Sequence, residues 1–262
     1  MRFALPIMAM ILFLHAGIAL AASKPPRGDL RRQGEERYGR CLALAQSRPQ
    51  AAFDAALAWH DEGGGAAAAH CAAVALVGLG HYAEAALKLD ALARDPAAGE
   101  TANRAAILDQ AGNAWLLAGQ PEKAFMSFSG ALKLTPADVD ILSDRARAKA
   151  MRKDWAGADA DLTAALVRDP NRPELLVLRA SARRAEGRPH EAWADVEEAL
   201  RLRPNFAEAL VERGAIKFDA GDKAGARADW QKVLRQAGDS PAGDSARKHI
   251  EQLDFNAPAR AR

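Results

Sequence analysis

The sequence is poor in aromatic residues and carries almost no excess of either charge. Aromatic residues make up 6% of the 262 positions, whereas alanine is abundant throughout the chain. Because alanine has the highest helix propensity and is uncommon in strands, this composition favours packed helices over sheets. The formal net charge is only +2, and basic residues are interspersed with acidic ones. Without a basic field to attract phosphates, the chain is not expected to bind nucleic acid.

The common sequence signatures of enzymes are also absent. The chain contains no glycine-rich phosphate loop, no G-x-S-x-G motif and no C-x-x-C motif. One stretch begins with His190 and Glu191, like the H-E-x-x-H helix of zinc proteases, which needs both histidines as metal ligands. Residue 194, where the second histidine would stand, is alanine. We therefore expect a protein that is not an enzyme and needs no cofactor and no metal.

The first residues have the organisation of an export signal. Arg2 is followed by an apolar run to Leu20, and Ala19-Leu20-Ala21 is a small-x-small cleavage site. This pattern predicts a signal peptide over residues 1–21 and an exported, periplasmic mature chain. The alternative is an uncleaved segment that anchors the protein in the inner membrane, which would be its only membrane contact. The polar residues 22–34 are predicted to form a disordered tether.

An internal repeat organises most of the remaining chain. Three blocks, 155–170, 189–204 and 223–238, align without gaps at a spacing of 34 residues. Each block follows a segment in which apolar residues recur at helical spacing, and most of these segments end in glycine, which commonly follows a helix. One unit is therefore a helix, a tight turn and a second helix. Small residues stand where the two helices should cross: Ala73, Gly112, Ala146, Ala180 and Gly214.

The pattern resembles the tetratricopeptide repeat (TPR) over roughly residues 66–240. The position of a large residue early in the first helix holds Leu108, Leu142, Leu176 and Leu210 in successive units. The position of the proline that ends a unit holds Pro136, Pro170 and Pro204. The usual tyrosine position departs from the family, since it holds Leu76, Trp115, Lys149, Arg183 and Lys217. Lys153 also replaces one turn glycine. The resemblance implies an all-α, right-handed α-solenoid of helix-turn-helix repeats whose inner groove binds a peptide or protein segment.

This interpretation divides the chain into repeats with a cap at each end. The expected units are an N-terminal helical hairpin over 35–65, repeats over 66–98, 105–138, 139–172, 173–206 and 207–240 with a connector at 99–104, a capping helix over 241–255 and a disordered tail over 256–262.

The resemblance also implies which side chains line the groove. Transferring the family's groove positions gives His70, Val74, Asp109, Asn113, Leu116, Asp140, Ser143, Arg147, Glu174, Val177, Ser181, Arg184, Glu208, Val211, Ala215 and Phe218. The alternative for each residue is a solvated face without a ligand. A family subtype that grips a C-terminal carboxylate uses a lysine and paired asparagines, but the lysine position here holds His70 and Asp109. We therefore do not expect that clamp.

A second periodic pattern joins basic and acidic residues. Arg145, Arg179 and Arg213 recur on the first helices, and Asp161, Asp195 and Asp229 recur on the second helices. A guanidinium group in a largely apolar position needs a partner, because its desolvation is costly. We expect structural ion pairs, each joining an arginine to the aspartate of its own or the preceding repeat. The alternative is a row of anion-binding arginines.

The chain has two cysteines, Cys41 and Cys71, in helices that should be neighbours. In an exported chain this arrangement favours a disulfide. The alternatives are two buried free thiols, or metal ligation together with His60, His70 and His81, whose spacing is irregular.

The sequence therefore predicts a non-enzymatic interaction scaffold with a protein or peptide partner. Two further hypotheses are an accessory subunit that presents a client to an envelope enzyme or secretion machine, and an exported metal- or ligand-binding protein.

Overall fold

The computed structural model describes residues 27–255. The expected signal peptide, the start of the tether and the tail over 256–262 lie outside this range. Within the described range the chain forms helices and turns without strands. None of the helices described is long and apolar enough to cross a membrane.

The helices follow one another in short, similar lengths. They are α1 (Arg27–Ser47), α2 (Pro49–Asp61), α3 (Gly65–Gly78), α4 (Tyr82–Arg94), α5 (Thr101–Leu117), α6 (Pro121–Leu134), α7 (Val139–Met151), α8 (Trp155–Arg168), α9 (Pro173–Ala185), α10 (Pro189–Leu202), α11 (Ala207–Asp219), α12 (Lys223–Ala237) and α13 (Pro241–Phe255). A short 3₁₀ turn, Pro96–Ala98, separates α4 from α5.

Successive helices pack as antiparallel pairs, and each pair packs on the next. The odd-numbered helices α3, α5, α7, α9 and α11 are the first helices of the five repeats, and the helix that follows each of them is its second helix. The pair α1 and α2 precedes the first repeat, and α13 packs against α11 and α12 at the other end. The prediction of an all-α solenoid is confirmed.

Small residues allow the two helices of a repeat to approach closely. A Cβ atom added to Gly112 would lie 2.5 Å from the ring of Phe128, and one added to Gly214 would lie 2.3 Å from the ring of Trp230. Both rings are almost fully buried. The aromatic ring of the second helix therefore occupies the space that a side chain on the first helix would need.

The turn within each repeat needs a left-handed backbone. Gly187 has a φ of 78°, and Lys153, at the equivalent position of the preceding repeat, has a φ of 61°. The lysine expected to replace a turn glycine therefore adopts a conformation that side chains disfavour.

Two expected boundaries differ from the structure. Helix α1 begins at Arg27, so residues 27–34 are helical, although we assigned them to a disordered tether. Leucine, arginine and glutamine in this stretch are good helix formers, and a packed helix can extend into them without a new nucleus. Helix α5 begins at Thr101, so the expected connector over 99–104 is mostly helical.

Candidate functional site

The first helices form one continuous layer, which we call the inner face. Helix α5 contacts α7, α7 contacts α9, and α9 contacts α11, whereas the second helices do not pack against one another in this way. In a curved array of two layers, the more closely packed layer lies on the concave side. The first helices therefore provide the concave surface on which the groove residues were expected.

Several expected groove residues meet between neighbouring first helices. The Asn113 side chain on α5 donates a hydrogen bond to Asp144 on α7, with an Nδ2 to Oδ2 distance of 2.8 Å. The Arg184 guanidinium on α9 donates to Glu212 on α11, with an Nε to Oε1 distance of 2.6 Å. Asp144 and Glu212 were not among the predicted residues. The sequence could have indicated both residues, because each is a carboxylate on the first helix that follows the helix of a predicted hydrogen-bond donor.

Other expected groove residues lie at the margin of the inner face, where they form ion pairs. Asp140 accepts a hydrogen bond from Arg172 at 3.1 Å, and Glu174 accepts one from Arg203 at 2.7 Å. Arg147 is exposed and pairs with the nearby Asp144. These charges are accessible to solvent, so each pair contributes little to stability.

The remaining expected residues give the inner face apolar and small polar side chains. Val74, Leu116, Val177, Val211 and Phe218 are half-buried against the core. Ser143 and Ser181 are half-buried as well, and Glu208 is exposed. The face therefore alternates between apolar contacts and hydrogen-bonding groups, as surfaces that bind protein segments often do.

His70 was expected to line the groove, but this expectation is wrong. Its side chain is only 8% exposed. Its Nδ1 lies 2.7 Å from the Tyr38 hydroxyl and its Nε2 lies 2.7 Å from Gln110 Oε1, so the ring joins α1, α3 and α5. Since Gln110 Oε1 can only accept, Nε2 carries the proton and Nδ1 accepts from Tyr38. Burial lowers the pKa of His70. Ala215 is buried too and is not available to a ligand.

Asp109 is the most perturbed group on the inner face. Its Oδ1 atom is buried and has no hydrogen-bond partner. Burial, together with the negative charges of Asp144, Asp138 and Asp140, raises the pKa of this carboxyl group to about 7. A carboxyl group in such surroundings keeps its proton to much higher pH than an exposed one.

The periodic arginines and aspartates form the expected ion pairs, each within one repeat. Arg179 contacts Asp195 through two hydrogen bonds, from Nε at 3.0 Å and from NH2 at 2.7 Å. The pairs Arg145 with Asp161 and Arg213 with Asp229 have the same two-bond geometry. Each aspartate is buried, whereas each arginine is partly exposed.

A second cation completes each of these pairs and was missed by the sequence analysis. The residues at the usual tyrosine position reach the same carboxylates: Lys149 to Asp161 at 2.8 Å, Arg183 to Asp195 at 2.9 Å and Lys217 to Asp229 at 2.7 Å. The sequence could have indicated these cations, because each stands four residues after a periodic arginine and therefore lies on the same helix face. Because the carboxylates occupy these cations, the geometry fits the structural interpretation of the row.

The pKa of Asp229 shows how strongly this carboxylate is held. Burial would raise the pKa of this group, but the hydrogen bonds from Arg213 and Lys217 outweigh that effect and lower it. In the second repeat the arrangement differs, because Trp115 Nε1 and the Ser127 hydroxyl both donate to Asp90 at 2.8 Å.

The two cysteines form a disulfide, Cys41–Cys71, whose Cα atoms lie 6.1 Å apart. This pairing agrees with the sequence interpretation and leaves no free thiol in the described chain. His60 and His81 are exposed and lie apart from the buried His70. No group of three potential metal ligands occurs among the described residues.

Comparison with known proteins gives matches at the level of structure. No family model and no curated protein matches the chain. MamA from Desulfovibrio magneticus RS-1 aligns with a TM-score of 0.58 at 19% identity, over 67% of this chain and 97% of that one. Another crystal structure of MamA aligns with a TM-score of 0.53 at 14% identity, over 68% and 96% of the two chains. Such structural neighbours are TPR-domain proteins. The fold is a TPR-like α-solenoid. At these identities the likeness concerns the fold alone.

Proposed function

We propose that this protein is a non-enzymatic adaptor that binds a peptide or protein segment on its inner face. The observation that carries the proposal is the continuous layer of first helices, on which hydrogen-bonding side chains such as Asn113 and Arg184 alternate with half-buried apolar ones such as Val177 and Phe218. Such a surface can bond the backbone of an extended segment and also hold its apolar side chains.

We further propose that the adaptor works in the periplasm. The apolar run after Arg2 and the small-residue site before Ala22 favour export. The disulfide supports an oxidising compartment, because such bonds are rare in the reducing cytosol. Fractionation of cells that produce the full chain, with N-terminal sequencing of the product, tests both export and cleavage. A reduced, cytosolic protein that retains Arg2 would contradict this part of the proposal.

Photo-crosslinking from single positions tests which face binds. A photoreactive amino acid is placed at Ser181, on the inner face, or at Val167, which is on the outer helix α8 and 77% exposed. We expect a discrete crosslinked protein from Ser181 and none from Val167. A crosslink from Val167 alone would show that the outer face binds, and no crosslink from either position would contradict the adaptor function.

A charge-reversed variant gives the matched control. Arg147→Glu with Glu208→Lys changes two exposed inner-face charges and leaves the net charge unchanged. Lys133→Glu with Asp54→Lys makes the same changes on the second helices α6 and α2. We expect the first variant to lose the Ser181 crosslink and the second to keep it, with equal melting temperatures. Equal crosslinking by the two variants would place the contact elsewhere.

A further inference from the structure

Helix α1 buries few of its side chains completely. Among its described side chains, only Cys41 and Ala45 are buried, with exposed fractions of 6% and 4%. The neighbouring helix α3, although shorter, buries seven residues. Cys41, one of the two buried residues of α1, also forms the disulfide to Cys71 on α3.

Non-covalent contacts also join α1 to its neighbours, because Leu42 and Leu44 pack against clusters of buried residues from α2 and α3. The Tyr38 hydroxyl lies 2.7 Å from His70 Nδ1, which provides one partly buried hydrogen bond. Arg37 pairs with Glu62, but the two side chains are 38% and 61% exposed, and its guanidinium also lies over the Trp59 ring. Exposed pairs of this kind contribute little, and a single hydrogen bond contributes modestly. The covalent bond therefore adds a restraint on the position of α1 to these weak polar contacts and to the partly buried leucines.

A surface cavity is lined by one of the two cysteines. A cavity of about 600 Å³ between α1 and α2 is lined by Arg37, Arg40, Cys41, Leu44, Ala55 and Trp59. Cys71, by contrast, is completely buried. The cavity therefore offers a thiolate a route toward Cys41, and the guanidinium groups of Arg37 and Arg40 attract its negative charge.

We propose that the Cys41–Cys71 disulfide is a reducible latch that holds α1 on the first repeat. The thiolate of a dithiol reductant attacks Cys41 Sγ, the bond between the two sulfur atoms breaks, and Cys71 leaves as a thiolate that takes up a proton. The second thiol of the reductant then displaces Cys41. The products are two cysteine thiols and the disulfide of the reductant, which has supplied two electrons and two protons.

Release of α1 uncovers one end of the inner face. Tyr38 is a wall of a cavity of about 460 Å³ that is also lined by His70, Asn103 and Gln110. When α1 leaves, the Tyr38 hydroxyl no longer bonds His70, and the cavity opens along α3 and α5. The latch does not depend on the proposed partner, because it concerns only α1 and the first repeat.

Hydrogen exchange of the oxidised and the dithiothreitol-reduced protein tests the latch. Free thiols are counted by alkylation, and Cys41→Ser with Cys71→Ser serves as a permanently open form. We expect amides of α1 to exchange at least about 100-fold faster after reduction, while α5 to α12 keep their protection. Unchanged protection of α1 in protein with two free thiols would overturn the proposal. Loss of protection along the whole chain would overturn it too, because the bond would then stabilise the entire fold.

The rate of reduction tests the route through the cavity. The probe is 2-mercaptoethanesulfonate, an anionic thiol, and Arg40→Glu is compared with Arg168→Glu, an exposed residue on the distant helix α8. We expect Arg40→Glu to slow reduction roughly 3- to 10-fold and Arg168→Glu to have little effect. Equal rates for the two variants, or reduction only at the rate of global unfolding, would contradict attack on the native bond.

Discussion

Replacement of Asp109 by asparagine should stabilise the protein in a strongly pH-dependent way. Burial and three neighbouring carboxylates raise the pKa of this group from 3.8 to about 7. A carboxyl group with a higher pKa in the folded chain than in the unfolded chain favours folding only while both states are protonated. The contribution of Asp109 to the free energy of unfolding is therefore largest below pH 3.8, where the group is protonated in both states. It falls progressively as the pH rises and reaches its lowest value above about pH 7.

The size of the effect follows from the difference between the two pKa values. A rise from 3.8 to about 7 corresponds to about 4 kcal/mol if the group were fully shielded from water. Asp109 is only half-buried, and solvent screening reduces its interactions with the neighbouring charges. We therefore expect Asp109→Asn to gain about 1–2 kcal/mol at pH 8 and close to nothing at pH 4.

Urea denaturation of the parent and the variant at a series of pH values measures this difference directly. Asp54→Asn, which changes an exposed carboxylate on α2, should show a much smaller pH-dependent difference from the parent. An equal gain from Asp109→Asn at pH 4 and pH 8 would show that the amide acts through shape or hydrogen bonding. A loss of stability at pH 8 would refute the assignment of Asp109 as a buried, unpartnered carboxyl group.

Four further substitutions test the ion pairs, one turn and the packing between helices. Asp195→Ala leaves Arg179 and Arg183 without their carboxylate and should lower the free energy of unfolding by about 3–5 kcal/mol. Arg179→Ala should lower it by only about 2 kcal/mol, because Arg183 still bonds Asp195. The reverse order in urea denaturation would contradict the two-cation arrangement. Lys153→Gly should raise stability by about 0.5–1 kcal/mol, since it relieves a positive φ, and a lower melting temperature would argue against that strain. Gly214→Ala should lower stability by about 1–3 kcal/mol, because its Cβ would meet the buried tryptophan ring, and an unchanged melting temperature would show that the ring can move aside.

The sequence was sufficient to predict the repeat, because the period can be recognised even where individual residues depart from the family pattern. Alanine and proline recur at intervals of 34 residues, and this spacing alone requires that equivalent helices pack in the same way. The ion pair of Arg179 with Asp195 was predictable for the same reason. Since both residues recur with the same period, a contact made in one repeat is made in the next.

Features that occur only once in the chain were harder to predict. His70 occupies a position that faces the groove in the family, but Tyr38 on α1 covers it, and no periodic pattern places α1 relative to α3. The raised pKa of Asp109 likewise depends on carboxylates from α7 and the turn before it. Such contacts depend on the relative position of neighbouring repeats, which the spacing within one repeat does not determine.

The means of stabilisation also change along the solenoid, and this has a consequence for its stability. Three repeats rely on a buried aspartate between two cations, such as Asp195 between Arg179 and Arg183. The N-terminal pair relies instead on the Cys41–Cys71 disulfide. Because each repeat of a solenoid contacts only its neighbours, its stability is approximately a sum of local contributions. Reduction therefore acts on the N-terminal end, whereas loss of an ion pair acts on its own repeat, so the two ends of the solenoid respond to different perturbations.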